Sequence, residues 1–157
     1  MSDNVKEYLG VVIDYTRDKL IPEQGLAMLT AKGFYKKEWE ESPQESFARA
    51  STCYSFGDYE FAQRIYEYSS KGWFTFASPV LSNATEVNWP TFNEEQFEEA
   101  GDWLEENVDI EGLPISCFLN HISDDKAGLT KTSDETKHLS MMGGGVGVYA
   151  GQRSPDE

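Results

Sequence analysis

Residues 143 to 151 read Gly143-Gly144-Gly145-Val146-Gly147-Val148-Tyr149-Ala150-Gly151, with five glycines in nine positions. Glycine lets a backbone turn sharply, approach a ligand and aim its amides at an anion. Upstream, Thr132 and Glu135 form a capping box that opens a helix, which Gly143 can end in a left-handed conformation. Val146 to Tyr149 then reads as a strand. Two readings of the run stay open: a tight helix-to-strand connection, or a cradle for an anionic ligand. It lacks the lysine and hydroxyl residue of a P-loop, and it follows a helix where a dinucleotide fingerprint would follow a strand.

The rest of the chain is mostly helical in pattern. Val5, Leu9, Val12 and Ile13 recur at helical spacing, which predicts a short amphipathic helix over the first fifteen residues. Arg17 to Pro22 ends it. A second short segment around Leu26, Met28 and Leu29 runs out at Gly33. Ser42-Pro43-Gln44-Glu45 supplies a serine cap, a proline at the first helical position and a glutamate able to reach back to the cap amide. From there Phe47, Ala50, Tyr54, Phe61, Ile65 and Tyr68 can line a buried face, with Ser55 to Asp58 breaking the stretch into two helices. Gly72 stops the second, and Trp73 to Phe76 reads as an extended segment entering a loop at Ser78-Pro79. Asn93 with Gln96, and the staple pair Phe92 and Phe97, predict a helix from about Glu94 to Asn107 with Phe97, Ala100 and Leu104 inward. Leu113 to Leu119 has the pattern of a buried strand that would place Cys117 inside the fold.

Composition bounds the class. The chain has 157 residues, one folding unit or a piece of one, with 13 Lys and Arg against 28 Asp and Glu, a net charge of −15 that repels nucleic-acid backbones and anionic lipid. Nine Phe, eight Tyr and four Trp supply enough apolar surface to fold. The longest apolar stretch, Leu9 to Ile13, falls far short of the roughly 20 residues a membrane-spanning helix needs, and acidic Asp3 and Glu7 stand where an export signal would be basic. Cys53 and Cys117 show neither disulfide-scaffold nor zinc spacing, which fits a reducing cytoplasm. His121 and His138 lack ligand spacing, so no metal site is expected. Taken alone, Cys117 and Cys53 read as inert core thiols, and Asp124-Asp125 as a solvated turn rather than an acid/base pair.

Three short motifs in order go further. Trp73-Phe74-Thr75-Phe76-Ala77-Ser78-Pro79-Val80-Leu81-Ser82-Asn83-Ala84, then Ile115-Ser116-Cys117-Phe118-Leu119, then Leu139-Ser140-Met141-Met142-Gly143-Gly144-Gly145-Val146-Gly147 resemble the amino-terminal portion of the catalytic large subunit of class I ribonucleotide reductases. The resemblance runs from about Ile21 to the last residue. It implies a mainly α fold: a helical amino-terminal domain at 1–112, followed at 113–157 by the first strand or strands of a ten-stranded α/β barrel, left incomplete.

By that resemblance Cys117 is one of the two thiols that reduce the ribose 2′ position of a ribonucleoside diphosphate and become a disulfide. Ser116 and Ser78 correspond to binders of the substrate diphosphate, although the family more often carries threonine where Ser78 stands. Asp124 matches the aspartate that holds the ribose of a nucleoside triphosphate effector, and Arg153 is the candidate for its phosphates. The regulatory ATP-cone has no room before Glu7. The family's radical-bearing cysteine, second redox thiol, radical-relay tyrosines and tail cysteines have no counterpart up to Glu157, so the chain reads as a fragment, such as half of a split gene in a large bacteriophage, inactive alone.

Its expected partners are a complementary carboxy-terminal half, a radical-generating small subunit carrying the radical cofactor, and thioredoxin or glutaredoxin as reductant. No cofactor is expected on this chain itself, and no DNA, RNA or membrane is an expected partner. The expected location is the cytoplasm, that of the host if the gene is a phage's. The rival reading is a non-catalytic, acidic helical module that binds a basic protein, with a purely structural glycine loop.

Overall fold

The computed structural model describes residues 4–90, 92, 99–109 and 112–151. The chain opens on a β-hairpin where helical spacing predicted a helix: β1 (Val5–Tyr8) runs antiparallel to β2 (Val11–Asp14), in register from Val5 opposite Asp14 to Tyr8 opposite Val11. The two-residue turn is Leu9 (φ 52°) and Gly10 (φ 76°), and two positive φ values are what a type I′ hairpin turn requires. A side chain at Gly10 would also strike the Tyr59 ring at 2.3 Å. The correction lies in the period. Val11 and Ile13 are buried while Val12 between them is 50% exposed, an alternation of two that β-branched residues favour, and Leu9 matched a helical spacing only by coincidence. The edge of β2 is closed by a side chain, because Gln63 accepts from the Val12 amide (2.7 Å) and donates to its carbonyl (3.0 Å).

A 3-10 turn (Tyr15–Leu20) capped by Asp14 leads into α1 (Glu23–Ala31), which ends before Gly33 as the sequence implies. The helix α2 (Pro43–Thr52) starts at the expected cap, with Ser42 accepting from the Gln44 amide at 3.0 Å. Glu45 does not return to the cap amide. One of its oxygens takes the Glu41 amide (2.7 Å) and the other the Tyr15 hydroxyl (2.6 Å), so the glutamate pins the preceding turn to the hairpin side.

The break at residues 53–58 separates α2 from α3 (Tyr59–Ser70), which Asp58 caps through the Phe61 amide. The inward stripe of α3 is Ala62, Tyr66, Ser69 and Ser70, not Phe61 and Tyr68, which are exposed. The stripe turned because the hairpin packs on Ala62 and Tyr66, and the Tyr66 hydroxyl takes the Asp14 amide at 2.8 Å. The predicted extended segment does not form a strand: Trp73 and Phe74 bend the chain, Thr75 to Ala77 carry no regular structure, and Ser78-Pro79 begins a short helix, α4 (Ser78–Asn83), rather than a loop, since proline suits the first turn. Of the helix expected from Glu94, α5 (Ala100–Asn107) is seen with Ala100 buried; Asn93, Gln96 and Phe97 lie outside the described residues.

At the centre of the helical part sits an ion pair. Arg49 of α2 is 1% exposed, and its Nε donates to Glu40 at 2.7 Å. Its remaining nitrogens donate to the carbonyls of Leu81 (3.0 Å), Ala84 (2.6 Å) and Phe34 (2.9 Å). One side chain therefore satisfies the end of α4 and the turn after α1 together. Around it lie Ala50, Cys53, Leu81 and Ala84, while Trp89 and Ala100 with Phe56, Phe92 and Trp103 form an aromatic cluster to one side.

The remaining residues form a β-α-β unit. β3 (Cys117–His121) begins four residues later than the predicted strand, and β4 (Gly145–Tyr149) pairs with it in parallel, Cys117 opposite Gly145 and His121 opposite Tyr149. A parallel pair needs a crossover, here α6 (Lys126–Met141). It starts at Asp125, which accepts from the Gly128 amide, rather than at Thr132. Thr132 is a buried mid-helix residue whose hydroxyl donates to the His121 carbonyl (3.2 Å), and Glu135 accepts from Asn120 (3.0 Å). The predicted capping box is thus two contacts that seat α6 on β3. Gly143 ends α6 at φ 88° as expected. The architecture is mainly helical with a few short strands, and no barrel closes among the described residues.

Removing one partner of a buried pair strands the other charge, at a cost of about 3–5 kcal/mol. Glu40→Ala should therefore lower the urea unfolding free energy by about that amount, followed by circular dichroism. Lys131→Ala, which removes the exposed pair with Glu135, should change it by less than about 1 kcal/mol.

Candidate functional site

The sheet of β3 and β4 has two unlike faces. Phe118, Asn120 and Val146 are half-buried, and Asn120 reaches Glu135 of α6. The alternate residues Cys117, Leu119 and His121, with Gly145, Gly147 and Tyr149 beside them, form the other face, which is open; Leu119 is 92% exposed. Parallel strands are normally covered on both faces. The expectation that Cys117 lies inside the fold is corrected here: its thiol is exposed, because α6 covers the even-numbered residues of β3 and leaves the odd-numbered ones open.

Cys117 does not stand alone on that face. The Ser116 hydroxyl lies 3.2 Å from its sulfur, and the Gly145 amide donates to the Ser116 carbonyl at 2.9 Å, which fixes the start of the glycine strand against the Ser116-Cys117 pair. A Cβ at Gly145 would sit 3.8 Å from Sγ, so glycine here leaves the thiol unscreened from the β4 side. At Gly144 the constraint is harder, since a Cβ would lie 2.2 Å from the Phe118 ring. The reading of the glycine run as a tight helix-to-strand connection therefore has a physical counterpart at Gly144, which lets the turn close onto the sheet, while Gly145 leaves room above the thiol.

Cys53 is the opposite case. It is buried between α2 and α4, and burial pushes its thiol pKa up. It is a packing residue, as read from the sequence.

Ser78 is exposed at the first residue of α4. Asp124 is exposed in the bend between β3 and α6, next to Asp125, which is used as the cap of that helix. Cys117 and Asp124 lie at opposite ends of β3, which alone spans about 13 Å at 3.3 Å per residue. The structure therefore brings together Ser116 and Cys117, and separates Asp124 from them. Arg153 lies outside the described residues. His138 pairs loosely with Asp134 (3.7 Å), and among the described residues no three His, Cys, Asp or Glu side chains gather as a metal would need. No described helix is long and apolar enough to cross a membrane.

Sequence reasoning missed the link between the helical part and the sheet. Asn83, the last residue of α4, donates from Nδ2 to the Leu113 carbonyl at 2.9 Å, and the chain comes so close that a Cβ on Gly112 would lie 3.1 Å from the Asn83 amide. A lone asparagine after Leu81-Ser82 carries no spacing that would have marked it.

The family model for the ribonucleotide reductase all-alpha domain matches residues 20–88. The chain is 40% identical over 147 residues to the ribonucleoside-diphosphate reductase large subunit of Invertebrate iridescent virus 6, covering 93% of this chain and 12% of that protein. It is 37% identical to the corresponding protein of Invertebrate iridescent virus 3, with 94% and 19% covered, and 27% identical to the large subunit of Trypanosoma brucei brucei, with 90% and 15% covered. The chain thus spans less than one fifth of the length of these relatives. Residues 20–88 thus match the all-alpha domain of ribonucleotide reductases, and over most of its length the chain is similar to an amino-terminal portion of the large subunits of that family.

Proposed function

We propose that this chain supplies part of the catalytic and regulatory surface of a ribonucleoside-diphosphate reductase. Ser78 and Ser116 bind the substrate diphosphate, Cys117 is a reducing thiol, and Asp124, with Arg153, belongs to a nucleoside triphosphate effector site. The domain division falls at residue 112. In the reaction, Cys117 and a second thiol from outside these residues each give up a proton and an electron. The ribose 2′ hydroxyl leaves as water, and the thiols join as a disulfide that thioredoxin or glutaredoxin reopens. A small subunit supplies the radical, and a complementary carboxy-terminal half covers the open sheet face. The setting is a cytoplasm.

The observation that carries this reading is the placement of the thiol. Cys117 lies exposed on an open sheet face, beside a hydroxyl and opposite a glycine, where a substrate can reach it. An effector end of the sheet distinct from the thiol end also fits control of substrate choice without contact with the reacting ribose.

In the native chain a thiol reagent should modify one equivalent rapidly at Cys117, with Cys53 reacting only after denaturant is added; equal rates would contradict the placement. In the assembled reductase, Cys117→Ser should abolish sustained turnover while leaving assembly intact, since a hydroxyl fills the space but cannot cycle through a disulfide. Normal multiple turnover by that variant rejects the role. Asp124→Ala should disturb effector control of substrate choice more than basal turnover, and equal loss of both would move Asp124 out of an effector site.

A further inference from the structure

The proposed site is divided between two parts of the chain, Ser78 on α4 and Ser116-Cys117 at the start of β3. Something must hold these two in register if one substrate is to meet both. Packing does little of this, because no helix or strand of the helical part lies closely against β3, α6 or β4 among the described residues. On the helical side of the junction, Asn83, Glu86, Asp109 and Gly112 help to line a cleft of about 710 Å³.

From this side Asn83 Nδ2 donates to the Leu113 carbonyl at 2.9 Å, a hydrogen bond that joins the end of α4 to the segment leading into β3. The acceptor lies three residues before Ser116. The donor is held on its own side: Asn83 Oδ1 lies 3.0 Å from the Ser82 hydroxyl, and the carbonyls of Leu81 and Ala84 on either side are both gripped by buried Arg49. Gly112 allows the close approach, since any Cβ there would press on the Asn83 amide at 3.1 Å.

We infer that Asn83 is a positioning residue, whose side-chain amide sets the distance between the Ser78 end of α4 and the Ser116-Cys117 thiol strand, with Gly112 as the residue that admits it. This rests on the functional reading above. It adds to that reading a residue that touches neither substrate nor thiol and acts through the backbone at Leu113. Misplacement of a thiol by about 1 Å from a bound substrate costs on the order of a hundredfold in rate, while the phosphate contact itself survives. Loss of the tether should therefore appear in kcat rather than in KM.

Asn83→Asp is the selective variant, because it keeps the acceptor facing Ser82 and replaces the donor facing Leu113 with an acceptor that repels the carbonyl. Two measurements are needed. First, spin labels on Cys117 and on a Ser78→Cys substitution, in a Cys53→Ala background, should give one narrow distance distribution by double electron-electron resonance, and Asn83→Asp should broaden it at least roughly twofold with the helical circular dichroism unchanged. An unchanged distribution overturns the proposal. Second, in the assembled reductase Asn83→Asp should lower kcat roughly tenfold or more with KM for the ribonucleoside diphosphate within about threefold. Unchanged kcat, or a raised KM alone, overturns it.

Should Asn83→Asp lose helical signal, Gly112→Ala, which displaces the same amide sterically, is read by the same criteria. Cys117→Ser, run in parallel, separates the two ideas. If that variant turns over normally, the functional reading falls while the distance measurement still decides the tether. If it is inactive and Asn83→Asp is not impaired, only the tether falls.

Discussion

The buried pair of Arg49 and Glu40 is the interaction on which the rest of the helical part depends. A guanidinium can be this deeply buried only if its charge is matched and its donors are occupied, and here one carboxylate and three backbone carbonyls do so. The carbonyls come from the turn after α1 and from both sides of the α4 end. Helices that otherwise meet through non-directional apolar contacts are thereby held in one arrangement, and α4, with Ser78 at its other end, is fixed to α2. The geometry of the proposed phosphate contact is inherited from a charge pair buried in the core.

The β-α-β unit follows a different economy. Its inner face is seated by Phe118, Thr132 and the Asn120 to Glu135 bond, while its outer face carries Cys117, Leu119 and Tyr149 into solvent. A parallel pair with one apolar face open needs a further layer. The thiol and the uncovered face coincide, so a layer that covers Leu119 would also enclose the site around Cys117. Exclusion of water and completion of the site are then one event.

Much of this was legible in the residues. Ser42-Pro43 marked the start of α2, Gly143 the end of α6, and Ser55 to Asp58 the break between α2 and α3, because caps and left-handed turns are set by local chemistry. The hairpin was not, since Val5, Leu9 and Val12 satisfy a helical period that only the Leu9-Gly10 turn and the packing of Val11 and Ile13 on Tyr66 override. The start of α6 was misplaced because Asp125 outcompeted Thr132, whose hydroxyl is spent on His121. At the site, motif order singled out Ser78, Ser116, Cys117 and Asp124, while strand pattern alone put Cys117 in the core. Which face of a short strand is covered depends on the crossover helix, which a run of apolar residues does not reveal. Asn83 was invisible for a similar reason, as its partner is a backbone carbonyl thirty positions away.

The central claim is that Cys117 is a redox thiol whose partner lies outside these 157 residues. Peptide mapping under non-reducing conditions, after one turnover of the assembled reductase without external reductant, tests it most directly. The account predicts a disulfide joining Cys117 to a cysteine from outside this sequence, with Cys53 still a free thiol. A disulfide between Cys117 and Cys53, or an unmodified Cys117 after product has formed, would contradict it.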